Sequence, residues 1–418
     1  MKRLFKAFPE VILVDAMHDT NVNRYKLFSF VVHDVFGKGQ YVHHALVDSE
    51  HKDNLRRVME IFKANNPDWA KIQVVMTDKA AHEKEVLREE LPDAQQLLCR
   101  WHVITWLKKQ AARLASSVKK SVKSLMRLMV YASNEDEYED AKGAVLELLG
   151  GDTSHELYRT FMANWDSNQD EWVSYKRGNT PHLTNNTNNR IESKWRKIKD
   201  VINDSFTIDQ LLSTLMTLQH YAEEQYLAEY HRVGSRPSRD SEDRELTLLA
   251  LQVSPFAFEL VAKQHTLAAG PNADYTVELN TPGRATVTSP RSGEVHEVNT
   301  RTNSCNCIFM KTCLLPCRHV MYVRSTSNFE TVLPPMHCFP TRWIVQSPEN
   351  NIDWGEIPCG GLKQGSCPSR AKERALSGAA MYIEAKATTE KIIARMALQS
   401  TPTFRIALKW LQDFYEAL

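Results

Sequence analysis

Apolar and polar positions change rhythm several times along the chain. Val11 to Val14 is a compact apolar run closed by Asp15, while Tyr25 to His33 and Gln40 to Val47 are rich in β-formers. Gly37 and Gly39 between the latter two favour a hairpin turn. From Asn54 to Ala64 the period lengthens, with Leu55, Val58, Met59 and Phe62 spaced to share one helical face. A short strand, Ile72 to Met76, stops at Thr77-Asp78, and a further helix leads to a last strand, Gln96 to Cys99. The order is β-β-β-α-β-α-β, which predicts an α/β (α+β) mixed sheet with helices on its faces.

From Val103 to about Phe161 the pattern is helical, with Leu107, Leu114, Leu125, Leu128 and Met129 expected to be buried. The polar loop GNTPHLTNNTNN introduces a helix from Arg190 to about Ile202, with Ile191, Trp195, Ile198 and Ile202 as its buried stripe; a long helix runs from Phe206 to Val233. The Pro- and charge-rich GSRPSRDSEDRE reads as a linker. Short alternating strands follow at Tyr275 to Leu279, Ala285 to Thr288 and Glu294 to Val298, and the tail from Ala371 reads as two helices divided at Thr401-Pro402. The expected organisation is a core over 1–232 with a helical insertion at about 103–180, a linker and short helical segment over 233–270, a small β-rich module over 271–345, and a helical tail over 346–418.

Composition narrows the class. With 42% hydrophobic and 25% charged residues, the chain can bury a large core. Its longest uncharged apolar stretch, Leu246 to Phe258, falls short of the ~18 residues a membrane span needs and contains Pro255. The basic start is broken by Pro9 and Glu10 with no small-residue cleavage site, so no secretory signal is expected. Eight cysteines in such a chain point to metal ligands or free thiols rather than a disulfide framework. A net charge of +1 argues against nucleic acid only until it is resolved locally. Residues 103–129 carry seven Lys or Arg and no acid, and an acidic cluster, Glu135 to Asp140, follows.

Cys305, Cys307, Cys317 and His319 form C-x-C-x9-C-x-H. Three thiolates and one imidazole complete a tetrahedral zinc shell, and soft sulfur and nitrogen donors suit zinc rather than calcium or magnesium. Cys313 is a competing ligand if the loop folds differently. Cys338, Cys359 and Cys367 lack a fourth partner at convincing spacing and read as free thiols or core. The segment, with strands before it and Arg342-Trp343 after it, resembles a SWIM-type zinc finger, as found in the zinc finger SWIM domain-containing proteins. That resemblance implies a structural zinc and a role in binding DNA or protein.

Asp15 and Asp78 each follow an apolar strand, and Glu192 lies at the edge of a buried helical stripe. Three such carboxylates, if convergent, could hold two magnesium or manganese ions for phosphodiester cleavage. Asp19 is the rival to Asp15. The blocks VDAMHDTN, MTDKA, LLCRWH and TNNRIESKWRKIK resemble, in order, those of Mutator-like transposases and their SWIM-containing relatives. The resemblance covers most of residues 4–232 and implies an RNase H-like core with helical insertion. By position it implies Asp15, Asp78 and Glu192 as a DDE triad, Cys99 and His102 as the family's C-x-x-H block, and matches at Thr20 and Asn21. Lys79 departs from the family's glycine, and the family's usual N-terminal DNA-binding domain is not found before the core.

Lys108, Lys109, Arg113, Lys119, Lys120 and Lys123, with Arg190, Lys194 and Lys197 around Glu192, are candidate phosphate contacts. Trp101, Trp106 and Trp195 are candidates for base stacking or core. The expected function is that of a zinc-binding, transposase-derived, DNA-binding protein with a DDE core, nuclear by resemblance and with DNA as partner. The alternatives are a non-catalytic SWIM regulator and a protein-interaction adaptor.

Overall fold

The computed structural model describes residues 1–77, 81–185, 195, 198–234, 243–271, 273–289, 293–327, 329–345, 389, 392–393, 395–397 and 401–417. Asp78, Arg190, Glu192, Lys194, Lys197, Cys359 and Cys367 therefore lie outside the described residues. The chain divides into two compact units, Met1–Asp353 and Trp354–Leu418.

The first unit opens with α1 (Lys2–Ala7) and a five-stranded sheet of β1 (Val11–Met17), β2 (Lys26–His33), β3 (Gly39–Val47), β4 (Val74–Thr77) and β5 (Gln95–Leu98), in the spatial order β3-β2-β1-β4-β5. β1 is antiparallel to β2 but parallel to β4, and β4 is parallel to β5. The predicted strand–helix order holds, with α2 (Lys52–Asn65) and α3 (Ala81–Glu90) as the crossovers. The apolar run Val11 to Val14 is buried without alternation because β1 is central and covered on both faces. The α2 stripe of Leu55, Val58, Met59 and Phe62 is buried as its spacing predicts, and Phe62 stacks on Phe30 of β2 at 4.7 Å.

The β2–β3 turn is built around buried Asp34. One of its carboxylate oxygens accepts from the amides of Phe36 (2.9 Å) and Lys38 (2.8 Å), and the other accepts from Gln40 Nε2. Gly37 closes the turn at φ +76°, and a Cβ there would meet the Phe256 ring at 2.6 Å. Glycine is thus required twice over.

Four helices follow β5: α4 (Arg100–Gln110), α5 (Ser116–Tyr131), α6 (Glu135–Leu148) and α7 (Glu156–Asn164). Their core includes Val103, Leu107, Met126, Met129, Tyr138, Phe161, Trp165 and Trp172. Leu128, expected inside, is 59% exposed: Val122, Met126, Met129 and Val130 carry the buried stripe of α5, and Leu128 falls on its opposite face. A buried ion pair, Lys84–Glu171 at 2.5 Å, fastens this bundle to α3. The long α8 (Ile208–Tyr230) starts from a capping box at Thr207 and Gln210.

Then come α9 (Arg244–Ala250), α10 (Pro255–Ala269) and a second sheet, β6 (Thr276–Thr281), β7 (Arg284–Thr288), β8 (Val295–Asn299) and β9 (Ser304–Cys305), ordered as numbered. α11 (Ile308–Cys313) and α12 (Arg318–Thr326) pack beneath it. The second unit contributes α13 (Thr401–Ala417), starting at the Thr401-Pro402 position where a new helix was expected.

Arg342 joins the end of the β-rich region to the first sheet. Its guanidinium is buried, pairs with Glu10 and donates to the His33 carbonyl at 2.8 Å. Burial pushes its pKa down, with the Glu10 and Asp34 charges opposing that shift. Removing one partner of a buried pair strands the other charge, so Glu10→Ala should destabilise the fold by about 3 kcal/mol. Urea denaturation monitored by tryptophan fluorescence measures this; an unchanged midpoint would show that the pair holds nothing.

Candidate metal centre and its surroundings

The four residues predicted to ligate zinc come together. Cys305 ends β9, Cys307 is the N-cap of α11, Cys317 is the N-cap of α12, and His319 lies in the first turn of α12. Their donor atoms all lie within 4.8 Å of one another and all four residues are buried. His319 Nδ1 is 3.8 Å from Cys305 Sγ and 3.9 Å from Cys317 Sγ. A tetrahedral zinc with ordinary Zn–S and Zn–N distances sets such ligand–ligand edges at roughly 3.6–3.8 Å, so the donor set fits the ion. Both N-cap cysteines have extended backbone, and with the end of the short β9 they bring the four donors together.

Hydrogen bonds from Cys305 and Cys317 hold the Cys307 thiol well below the ordinary range. The same interactions push Cys305 up to about 12 and Cys317 well above its usual value. Metal binding would replace the thiol protons. Around the ligands, His296 stacks on His319 at 4.1 Å and Tyr275 meets it edge-on at 5.4 Å. Neither was singled out from sequence, although His296 precedes buried Val298 by two in an alternating strand and so shares its face. Cys313 is buried but outside the donor group; its carbonyl instead accepts from Trp343 Nε1 at 3.0 Å. Cys338 Sγ receives Asn303 Nδ2 at 3.4 Å and also stands apart.

The carboxylate prediction is only partly described. Asp15 is half-buried and does not close its strand, because β1 continues to Met17. It pairs across the sheet with Ser29, and Ser29 pairs with His44, whose Nδ1 is 2.7 Å from Ser29 Oγ. This polar row lies on the face opposite Phe30 and Phe62. Burial drops the His44 pKa to about 3, with His43 and the chain N-terminus adding to the effect. A lone serine inside the apolar LFSFVV was the available signal for the row. Asp19 is exposed at φ +58° in the following loop. There Thr20 and Asn21 are buried, and Asn21 both donates to the Tyr25 carbonyl (2.8 Å) and accepts from its amide (3.0 Å), so they shape the entry to β2. β1 and β4 are parallel neighbours, as a pairing of strand-borne carboxylates requires, but Asp78 and Glu192 are among the undescribed residues.

Cys99 is the buried N-cap of α4 and His102 is partly exposed; among the described residues neither joins a metal-binding group. Trp101 is exposed, Trp106 packs against the helical core, and Trp195 is buried. Lys108, Lys109 and Arg113 are exposed on α4 and the turn after it, and Lys119, Lys120 and Lys123 lie on α5.

A mixed five-stranded sheet with helical crossovers, followed by a helical bundle and a Cys3His group able to hold a metal, defines an RNase H-like protein with a candidate metal centre in its β-rich region. Residues 1–97 match the family model described as zinc finger SWIM domain-containing protein 1/3, RNaseH-like domain. The match runs from α1 into β5, and the Cys3His centre lies beyond it. No helix among the described residues is long and apolar enough to cross a membrane.

Metal analysis of the purified chain should find one zinc in this centre. Cys317→Ser should lose it, while Cys313→Ser should retain it; equal zinc in the two variants would reject the ligand set.

Proposed function

We propose that this protein is a zinc-stabilised, transposase-derived nucleic-acid-binding protein whose cationic helices α4 and α5 face the sugar–phosphate backbone. The observation that carries the reading is a contrast between two surfaces. On α2 and α3 the cations are neutralised within the fold, through Lys52–Glu85, Arg56–Glu89 and Lys63–Glu90. On α4 and α5, Lys108, Lys109, Lys119, Lys120 and Lys123 have no ion-pair partner among the described residues, whereas Arg113 reaches Glu156 at 3.2 Å. Unpaired like charges on adjacent helices repel, and phosphates relieve that repulsion while releasing condensed counterions. Lys120, Ser124, Arg127 and Tyr131 repeat at three- and four-residue spacing, so α5 presents one basic face with an aromatic ring at its end.

Within this reading DNA is the partner and the nucleus the location. The β-rich region serves as a zinc-held scaffold that also offers a surface to protein partners. The DDE reading is favoured by one specific observation, the half-buried Asp15 on a strand parallel to and beside β4. Asp15, Asp78 and Glu192 would hold magnesium or manganese, which supplies Lewis-acid activation of water or a 3′-hydroxyl. Asp15 itself would orient that site from a strand anchored by its buried neighbours.

Fluorescence anisotropy of labelled duplex DNA across a salt series tests the binding. Combined replacement of Lys119, Lys120 and Lys123 by Gln should reduce the slope of log K against log salt by about 2–3. An unchanged slope would remove α5 from the interface. Magnesium-dependent DNA cleavage that survives Asp78→Asn would remove the DDE mechanism, and no cleavage by the wild type would leave the non-catalytic regulator.

A further inference from the structure

At the start of α4 the fold buries several cations together. Arg177 is fully buried; its Nη1 donates to the Leu98 carbonyl (3.4 Å), its Nη2 donates to the Asn185 carbonyl (3.2 Å), and its Nε has no partner. Arg100, the first residue of α4, is 8% exposed and its Nε is likewise buried without a partner. His182 is 9% exposed with Nδ1 unpartnered. Burial and then the nearby Arg100 charge lower the pKa of Arg177 to about 9, against the opposing effect of Cys99. His182 falls to about 3 through burial and the charges of Arg177 and Arg100, so at neutral pH it is an uncharged donor or acceptor. Among the described residues no carboxylate pairs with Arg100 or Arg177.

Three positive contributions therefore coincide: two guanidiniums and the N-terminal end of an eleven-residue helix. Desolvating a guanidinium without an anion is costly, and placing a second beside it at the positive end of a helix dipole compounds the cost. Other buried cations are satisfied within the fold: Arg324 donates to the Thr331 carbonyl and hydroxyl and to Asn303 Oδ1. Buried Lys84 has Glu171, and buried Arg342 has Glu10. The cluster meets solvent at Arg100, whose guanidinium lies 5.5 Å from the ring centre of Tyr131, with Arg127 at 5.7 Å from the same ring. Tyr131 is 46% exposed and Trp101, next in sequence to Arg100, is 51% exposed.

We propose that Arg100, Arg177 and His182 form a binding site for a phosphate oxyanion at the N-terminus of α4, with Tyr131 and Trp101 at its rim. Guanidinium groups and helix amides are the donors that phosphate oxygens take. Exposed rings beside them are the surfaces on which unpaired bases stack. The phosphate of a nucleic-acid strand is the source that matches the rim, and this choice of source rests on the nucleic-acid reading above; the anion site itself does not.

The test uses the full zinc-loaded chain and Arg100→Gln. Arg100 makes no hydrogen bond within the described fold, so its replacement leaves no acceptor stranded. Inorganic phosphate should raise the melting temperature of the wild type progressively, by mass action, where chloride at equal ionic strength does not. Arg100→Gln should abolish that phosphate-specific rise while retaining its zinc. A labelled single-stranded oligonucleotide should bind the variant about tenfold more weakly, with a salt slope smaller by about one, and phosphate should compete with it on the wild type alone. If phosphate stabilises the wild type and not the variant while both bind the oligonucleotide equally, the site takes free phosphate and only the choice of a nucleic-acid strand as its source fails. If phosphate does not stabilise the wild type, or stabilises Arg100→Gln equally, the site is refuted. Should Arg100→Gln lose zinc or unfold, Tyr131→Ala replaces it in the oligonucleotide arm. Binding equal to wild type would then overturn the proposed rim.

Discussion

One buried guanidinium sets the relation between the metal centre and the sheet. Arg342 reaches Glu10, at the entrance to the central strand, and the His33 carbonyl at the end of the neighbouring strand. The next residue, Trp343, is fully buried against Phe256 and hands its indole hydrogen to the carbonyl of Cys313. Cys313 ends the short helix that Cys307 of the candidate metal centre begins. From the other side, the amide of Leu183 reaches the carbonyl of Thr312 at 2.8 Å, and Ser254 Oγ reaches that of Val35 at 2.6 Å. The zinc-ligating segment is thus a wall of the first unit. Free energy gained on metal binding is free energy of folding in such an arrangement.

Charge is distributed by the same logic. Cations that the fold needs for cohesion have carboxylate partners, buried in the cases of Lys84 and Arg342, exposed along α2 and α3. Arg100, Arg177 and the lysines of α4 and α5 have no carboxylate partner among the described residues. A near-zero total charge therefore conceals two populations, one paired within the fold and one unpaired among the described residues. The acidic residues that balance the sum begin α6, where Glu135, Asp136 and Glu137 favour the helix N-terminus.

The strand order, both crossovers and the metal ligands were legible because each rests on a local signal. Apolar runs bounded by turns mark the strands, a single stripe marks α2, and the C-x-C and C-x-H pairs fix two half-sites that only need to meet. What could not be read depends on partners distant in sequence. The polar row Asp15–Ser29–His44 exists only once β1, β2 and β3 are in register. Leu128 was misplaced because α5 has apolar residues on more than one face, and only docking selects which is buried. Asp15 looked like a strand terminus because charge usually ends a buried run, yet pairing with β2 carries the strand two residues further. Arg342-Trp343 could be matched to a pattern, but its role as anchor required knowing that Glu10 lies opposite.

The separation of Glu10 and Arg342 by 332 positions also bears on how the molecule comes into being. Synthesis at ~5–20 residues per second puts roughly 15–65 s between the appearance of one partner and the other. Through that interval the central strand and its neighbours exist without their final wall, and the nascent chain has apolar surface to shield.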